Sequence, residues 1–218
     1  MIERGDLSDA LRLTVITDPD CGAGRSITEV VAAALEGGAR CIQLRAKEST
    51  AREMVALGRK LRELTLGAGA LLIVNDRLDV ALAIGADGVH LGDDDLPVGA
   101  VRRAVPPGLL IGRSADSEDI ARTAERDGAD YLGVGPIFPT TSKPDAGAAA
   151  GIGLIERIVA ATRLPVVGIG GIEPESAADI VRAGAAGVAV IRAVMCAGDP
   201  AVATADFLAA MDPAAFAR

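Results

Sequence analysis

The feature that most limits what this chain can fold into is a rhythm. Short runs rich in Val, Ile and Leu alternate with Ala-rich stretches of helical period. The extended runs are Leu11–Thr17, Arg40–Arg45, Leu71–Val74, Gly88–Leu91, Leu109–Gly112, Tyr131–Val134, Pro165–Ile169 and Gly187–Ile191. Each is followed by a predicted helix: Ser26–Glu36, Thr50–Leu66, Arg77–Ile84, Pro97–Ala104, Ser117–Asp127, Gly153–Ala161, Pro174–Ala183 and Pro200–Met211. Strands that alternate with helices pair in parallel through right-handed crossovers. Several of the helices end on one device. Glu36-Gly37-Gly38-Ala39, Ile84-Gly85-Ala86-Asp87, Asp127-Gly128-Ala129-Asp130 and Ala183-Gly184-Ala185-Ala186 put Gly where the helix stops, and Gly accepts the left-handed cap conformation.

Eight such units in 218 residues predict an α/β fold closed into a single (β/α)8 TIM barrel, as one domain over residues 1–218. An open doubly wound sheet would need fewer strands or more chain. With 2% aromatic residues and no Trp, Val, Ile, Leu and Ala must fill the core. That suits a barrel interior packed with branched side chains, and it places function at the C-terminal ends of the strands.

Charge and composition exclude several functions. A net charge of −8 leaves no overall basic footprint for nucleic acid, and the few aromatics make a base-stacking platform unexpected. No charge-free apolar run reaches spanning length and no secretory apolar segment opens the chain, so no membrane partner and a cytoplasmic location are expected. Cys21, Cys41 and Cys196 are far apart and form no CxxC pair, so neither a disulfide framework nor a thiolate metal site is expected.

The strand ends carry polar residues of particular types. After strand two, Gln43, Arg45 and, if the extended run continues, Lys47 share one face, with Leu44 and Ala46 on the other. Arg45 and Lys47 in a barrel mouth form an anion clamp; otherwise Lys47 begins a solvated loop. Strand three ends Val74-Asn75-Asp76, and strand four runs into Asp93-Asp94-Asp95. Carboxylates from neighbouring strand ends hold Mg²⁺ together with substrate phosphates. A solvated turn that caps the next helix accounts for two of the three consecutive aspartates. His90, the one histidine, reads as packing or a structural hydrogen bond rather than a catalyst, which disfavours triad hydrolysis. Strand five ends Gly112-Arg113-Ser114, another polar exit. The loop after strand six, with Thr140, Thr141, Ser142 and Lys143, reads as a diphosphate cradle or as a hydroxyl-rich surface loop. Gly170-Gly171 after strand seven and Ile191-Arg192 after strand eight suit a phosphate site. A diphosphate site with a metal, a second phosphate site opposite and no strong general base suggest a transfer in which a diphosphate departs.

Five segments then stand together. Gln43-Leu44-Arg45-x-Lys47, Val74-Asn75-Asp76, Gly88-Val89-His90-Leu91-Gly92-x-x-Asp95, Gly135-Pro136-Ile137-Phe138-Pro139-Thr140-x-Ser142-Lys143 and Gly168-Ile169-Gly170-Gly171-Ile172 resemble the thiamine-phosphate synthase family, in order and over nearly the whole chain. The resemblance implies two small-molecule substrates, a hydroxymethylpyrimidine diphosphate and a hydroxyethylthiazole phosphate or its carboxylated form. It implies Mg²⁺ as cofactor, on Asp76 and Asp95. It implies that Gln43, Leu44, Arg45, Ala46, Lys47, Asn75, Ser114 and Lys143 meet the pyrimidine diphosphate, with Lys143, Arg45 and Ser114 as the catalytic candidates. Thr140, Thr141, Ser142, Gly171, Ile191 and Arg192 are implied to line the thiazole-phosphate side. Arg192 and Asp116 depart from the family pattern, where Ser and His are common.

Overall fold

The computed structural model describes residues 4–21, 24–142 and 147–212. In chain order the elements are α1 (Arg4–Ala10), β1 (Leu13–Ile16), α2 (Ile27–Glu36), β2 (Cys41–Leu44), α3 (Ala51–Ala68), β3 (Leu71–Asn75), α4 (Leu78–Ile84) and β4 (Gly88–Leu91). They continue with α5 (Val98–Ala104), β5 (Leu110–Ala115), α6 (Glu118–Asp127), β6 (Tyr131–Val134), α7 (Gly153–Ala161), β7 (Val166–Ile169), α8 (Pro174–Arg182), β8 (Gly187–Val190), α9 (Arg192–Met195) and α10 (Pro200–Ala210). The strands form a closed barrel in sequence order, every neighbour parallel, with β1 pairing β8 at Leu13–Val188 to complete the ring. The predicted barrel is therefore the observed fold.

Period-two alternation divides the core into two shells. One face of each strand packs outward beneath the helices: Val15, Leu44, Val74, Val89, Leu132 and Val188 meet Val30, Leu61, Ile155, Ile180 and Phe207. The other face fills the barrel with Ile16, Cys41, Ile73, Leu110, Tyr131, Val167 and Ala189. Leu7 and Leu11 join that inner cluster, so α1 and the turn after it plug the N-terminal end of the barrel. Sequence reading placed no helix there.

The Gly-Ala-Asp repeats are structural staples at the same end. Gly85 and Gly128 end α4 and α6 with φ of 63° and 93°. Two residues on, Asp87 Oδ2 accepts the Leu72 N–H at 2.8 Å, and the carboxylate takes both terminal nitrogens of Arg62 from α3, Nη1 on Oδ2 at 2.6 Å and Nη2 on Oδ1 at 3.1 Å. Asp130 repeats the arrangement: its Oδ2 accepts the Ile111 N–H at 2.7 Å and bonds Arg102 of α5. A carboxylate that satisfies a backbone donor and a guanidinium together ties strand to helix with charge-assisted bonds.

One expectation is corrected. Cys21, in the loop after β1, and Cys196, at the end of α9, form a disulfide with Cα atoms 5.0 Å apart. They lie 175 residues apart in sequence, and only the β1–β8 seam brings them together. Cys41 is fully buried inside the barrel, and burial pushes its thiol up to about 12, so it is no nucleophile. None of the described helices is long and apolar enough to cross a membrane.

Candidate active site

The C-terminal rim of β2, β3 and β4 assembles the charged residues. Asp76 follows β3 and is the one non-glycine residue with positive φ (63°) among the described residues. Asp tolerates that conformation better than most residues. Its N–H donates to the His90 carbonyl at 2.8 Å, so the β3–β4 ladder runs one step past the strand end before the chain kinks. The Asp76 carboxyl hydrogen-bonds that of Asp95. Burial first, then that hydrogen bond and the charge of Asp95, push Asp76 from the usual 3.8 up to about 6, against the opposing pull of Lys47 and Arg45. Asp95 is itself fixed by the Gly92 N–H, donating at 2.6 Å.

The neighbouring aspartates do other work. Asp93 pairs with Arg113 at 2.7 Å, and Asp94 is exposed. No side chain caps α5, whose N-cap is Pro97, so the expected aspartate cap is replaced by the Asp95–Gly92 bond. No group of three or more metal-ligating His, Cys, Asp or Glu side chains occurs among the described residues. Two carboxylates close enough to share a proton are nevertheless a donor set that a divalent cation with phosphate ligands would satisfy.

Beside them lies a cavity of about 330 Å³ lined by Ala46, Lys47, Glu48, Ser49, Met54, Asn75, Asp76 and Arg77. The β2 strand ends at Leu44, so Lys47 belongs to the following turn and is exposed, yet it remains close enough to act on Asp76. Thr17, fully buried, fixes the exit of β2: its Oγ1 accepts the Arg45 N–H and donates to the Arg45 carbonyl, both at 2.9 Å. Sequence reading missed Thr17, which carries no chemical signature. Leu44 and Ala46 pack outward under the helices, so they can meet a ligand in the mouth only through their backbone.

Sequence reading ended strand five at Gly112, but β5 continues through Arg113 and Ser114 to Ala115. Ser114 therefore sits on the inner face, where its Oγ lies 3.1 Å from His90 Nε2. His90 Nδ1 lies 3.1 Å from the hydroxyl of the buried Tyr131, which the Gln43 side chain also hydrogen-bonds. Gln43 and Ser114, expected separately, thus join one polar chain through two residues sequence reading left outside the site.

On the opposite side, Gly170 and Gly171 follow β7 with φ of 101° and 61°. A Cβ on Gly171 would stand 2.4 Å from the Pro139 carbonyl oxygen and 2.9 Å from Phe138 Cβ. The Ile137 and Phe138 N–H groups donate to the Ile169 and Gly170 carbonyls at 2.9 and 3.0 Å. The loop after β6 is therefore laid along the exit of β7. That brings it against Gly171, with Thr140 and Ser142 joined by a 3.2 Å bond. Thr141 and Arg192 are exposed, and Ile191 leads from β8 into α9. Lys143 lies outside the described residues.

Comparison with known proteins gives the chain its relatives. Residues 13–194 match the family model described as thiamine monophosphate synthase. The chain is 54% identical over 191 residues to the thiamine-phosphate synthase of Moorella thermoacetica, covering 88% of this chain and 91% of that one. It is 46% identical over 210 residues to the thiamine-phosphate synthase of Haloquadratum walsbyi, covering 95% and 94%. Among solved structures it resembles thiamine phosphate pyrophosphorylase from Pyrococcus furiosus, with a TM-score of 0.86 and 42% identity over 94% of this chain and 97% of that one.

Proposed function

The chain belongs to the thiamine monophosphate synthase family and is a transferase with thiamine-phosphate synthase function, and on that premise we propose how its mouth works. The substrates are 4-amino-2-methyl-5-hydroxymethylpyrimidine diphosphate and 4-methyl-5-hydroxyethylthiazole phosphate or its carboxylated form. Gln43, Asn75 and Ser114 orient the pyrimidine, while Arg45, Lys47 and Lys143 hold the diphosphate. Backbone around Leu44 and Ala46 completes that side. Thr140, Thr141, Ser142, Gly171, Ile191 and Arg192 receive the thiazole phosphate. Asp76 and Asp95 would hold Mg²⁺, which when bound supplies Lewis-acid stabilisation of charge on the diphosphate.

The chemistry follows from what the mouth contains. The reaction calls for no enzyme nucleophile, because the second substrate brings its own. The bond from the pyrimidine methylene to the diphosphate oxygen breaks, and its electron pair leaves with the diphosphate. The cationic methylene is captured by the thiazole nitrogen lone pair, forming the C–N bond of thiamine phosphate. With the carboxylated thiazole, CO₂ is also lost. Cations around the leaving group lower the barrier because they are fixed before charge develops.

The observation that carries this reading is the Asp76–Asp95 contact flanked by Lys47 and Arg45. It gathers two carboxylates and two cations from three strand ends, as a metal-bound diphosphate requires. The test is to incubate the protein with both phosphorylated substrates and Mg²⁺ and to detect thiamine phosphate by mass. Folded protein that yields none overturns the reading.

A further inference from the structure

The barrel gives up two interior side chains to seat one histidine. In register, His90 on β4 stands beside Gly112 on β5, and Gly112 beside Tyr131 on β6. A Cβ on Gly112 would lie 2.2 Å from Tyr131 Cζ and 2.5 Å from His90 Nδ1. One on Gly133 would lie 2.9 Å from His90 Cε1. The two rings therefore meet across a space that only glycine leaves open, with centroids 5.5 Å apart. Interiors are otherwise packed with apolar side chains, and a buried phenol against a half-buried imidazole is costly unless satisfied.

The contacts run in an unbroken chain from the barrel interior to its mouth. Gln43 hydrogen-bonds the Tyr131 hydroxyl. That hydroxyl lies 3.1 Å from His90 Nδ1. On the far edge of the same ring, His90 Nε2 lies 3.1 Å from Ser114 Oγ. With Tyr131 holding one edge of the imidazole, the other edge holds the Ser114 hydroxyl in one place at the strand end.

We propose that His90, oriented by Tyr131, is a positioning residue that holds the Ser114 hydroxyl toward the pyrimidine diphosphate. The inference rests on the assignment of Ser114 to that substrate above. His90 touches no reacting atom. Gly112 and Gly133 are the cost of admitting it.

A double-mutant cycle tests this with both substrates and Mg²⁺, reading kcat and KM separately. His90→Leu fills the space without a donor, and kcat should fall about 10-fold, the worth of one oriented hydrogen bond, with KM for the thiazole phosphate unchanged. Ser114→Ala should cost at least as much. The double variant should fall no more than about 2-fold below Ser114→Ala, because coupled residues are not additive. His90→Gln, which returns a hydrogen-bonding amide near the Nε2 position, should recover most of the loss. Multiplicative losses, or no rescue, overturn the proposal. If His90→Leu does not fold, the same cycle with Tyr131→Phe decides, and additivity there overturns it equally. Wild-type protein that makes no thiamine phosphate would instead defeat the functional reading itself.

Discussion

Replacing Asp76 with Asn should make the metal-free protein more stable while removing its response to Mg²⁺. Burial and the neighbouring Asp95 raise the Asp76 carboxyl from 3.8 to about 6. A folded-state value above the unfolded one means that folding favours the protonated acid. That contribution is complete below the unfolded value and is lost as pH rises through about 6. At pH 8 the ionised group therefore strains the apo protein. The full shift would correspond to about 3 kcal/mol, and partial solvent access reduces it to about 1–2 kcal/mol. Asn keeps the shape, tolerates φ of 63° as well as Asp does, and can still hydrogen-bond Asp95. The gain corresponds to roughly 2–8 °C in Tm for a chain of this size. Thermal denaturation in chelator at pH 8 should show Asp76→Asn melting higher, with the gap shrinking toward pH 5. Adding Mg²⁺ should raise the melting point of wild type, as binding to the folded state must, and leave the variant nearly still. A variant that melts below wild type at pH 8, or a gain equal at both pH values, would refute the reasoning.

Three further outcomes are expected. Lys143→Ala should lower turnover by roughly 10²–10³, comparable to losing one preorganised donor to transition-state charge, and steady-state kinetics at saturating substrate will show it. Gly112→Ala should destabilise the fold by about 1–3 kcal/mol through overpacking against Tyr131 and His90, measured by urea denaturation, and it should depress kcat as His90→Leu does. Alkylation of unreduced, denatured protein should label Cys41 alone among the three cysteines, and labelling of Cys21 and Cys196 without reductant would disprove their bond.

The alternation of extended and helical runs was enough to read a closed barrel, because period and Gly stops are local properties of the chain. What sequence reading lost came from contacts between distant segments. Strand five was ended early at Gly112, because Arg113 and Ser114 read as a polar exit. In the barrel the mouth satisfies them, and β5 runs on to Ala115. The α1 plug was invisible because its apolar signal reduces to Leu7 and Leu11, whose burial depends on the open end of a barrel that does not yet exist locally. The Cys21–Cys196 bond was hidden by the same distance. Within the site, Asp76, Asp95, Gln43 and Ser114 were readable as polar residues out of place at strand ends. His90 and Tyr131 were not, since a polar pair inside a barrel gains meaning only from its neighbours. Leu44 and Ala46 show the converse: period two already assigned them to the outer face, and the resemblance carried them into the site as part of a continuous segment.

The Asp87 and Asp130 staples also bear on how such a ring is assembled. Their partners lie between 15 and 28 residues away in sequence. At the β1–β8 closure, by contrast, Arg12, just before β1, bonds the Met211 carbonyl at the end of α10, 199 residues away. Loop-closure entropy grows by about 0.6 kcal/mol per doubling, so closing the seam costs about 2 kcal/mol more than forming a staple. Contacts near in sequence also form faster. Strands three to six thus hold local locks that need no finished ring, and the route of least entropic cost builds outward from them. The seam closes last, drawing in β1, α10 and the two cysteines with it.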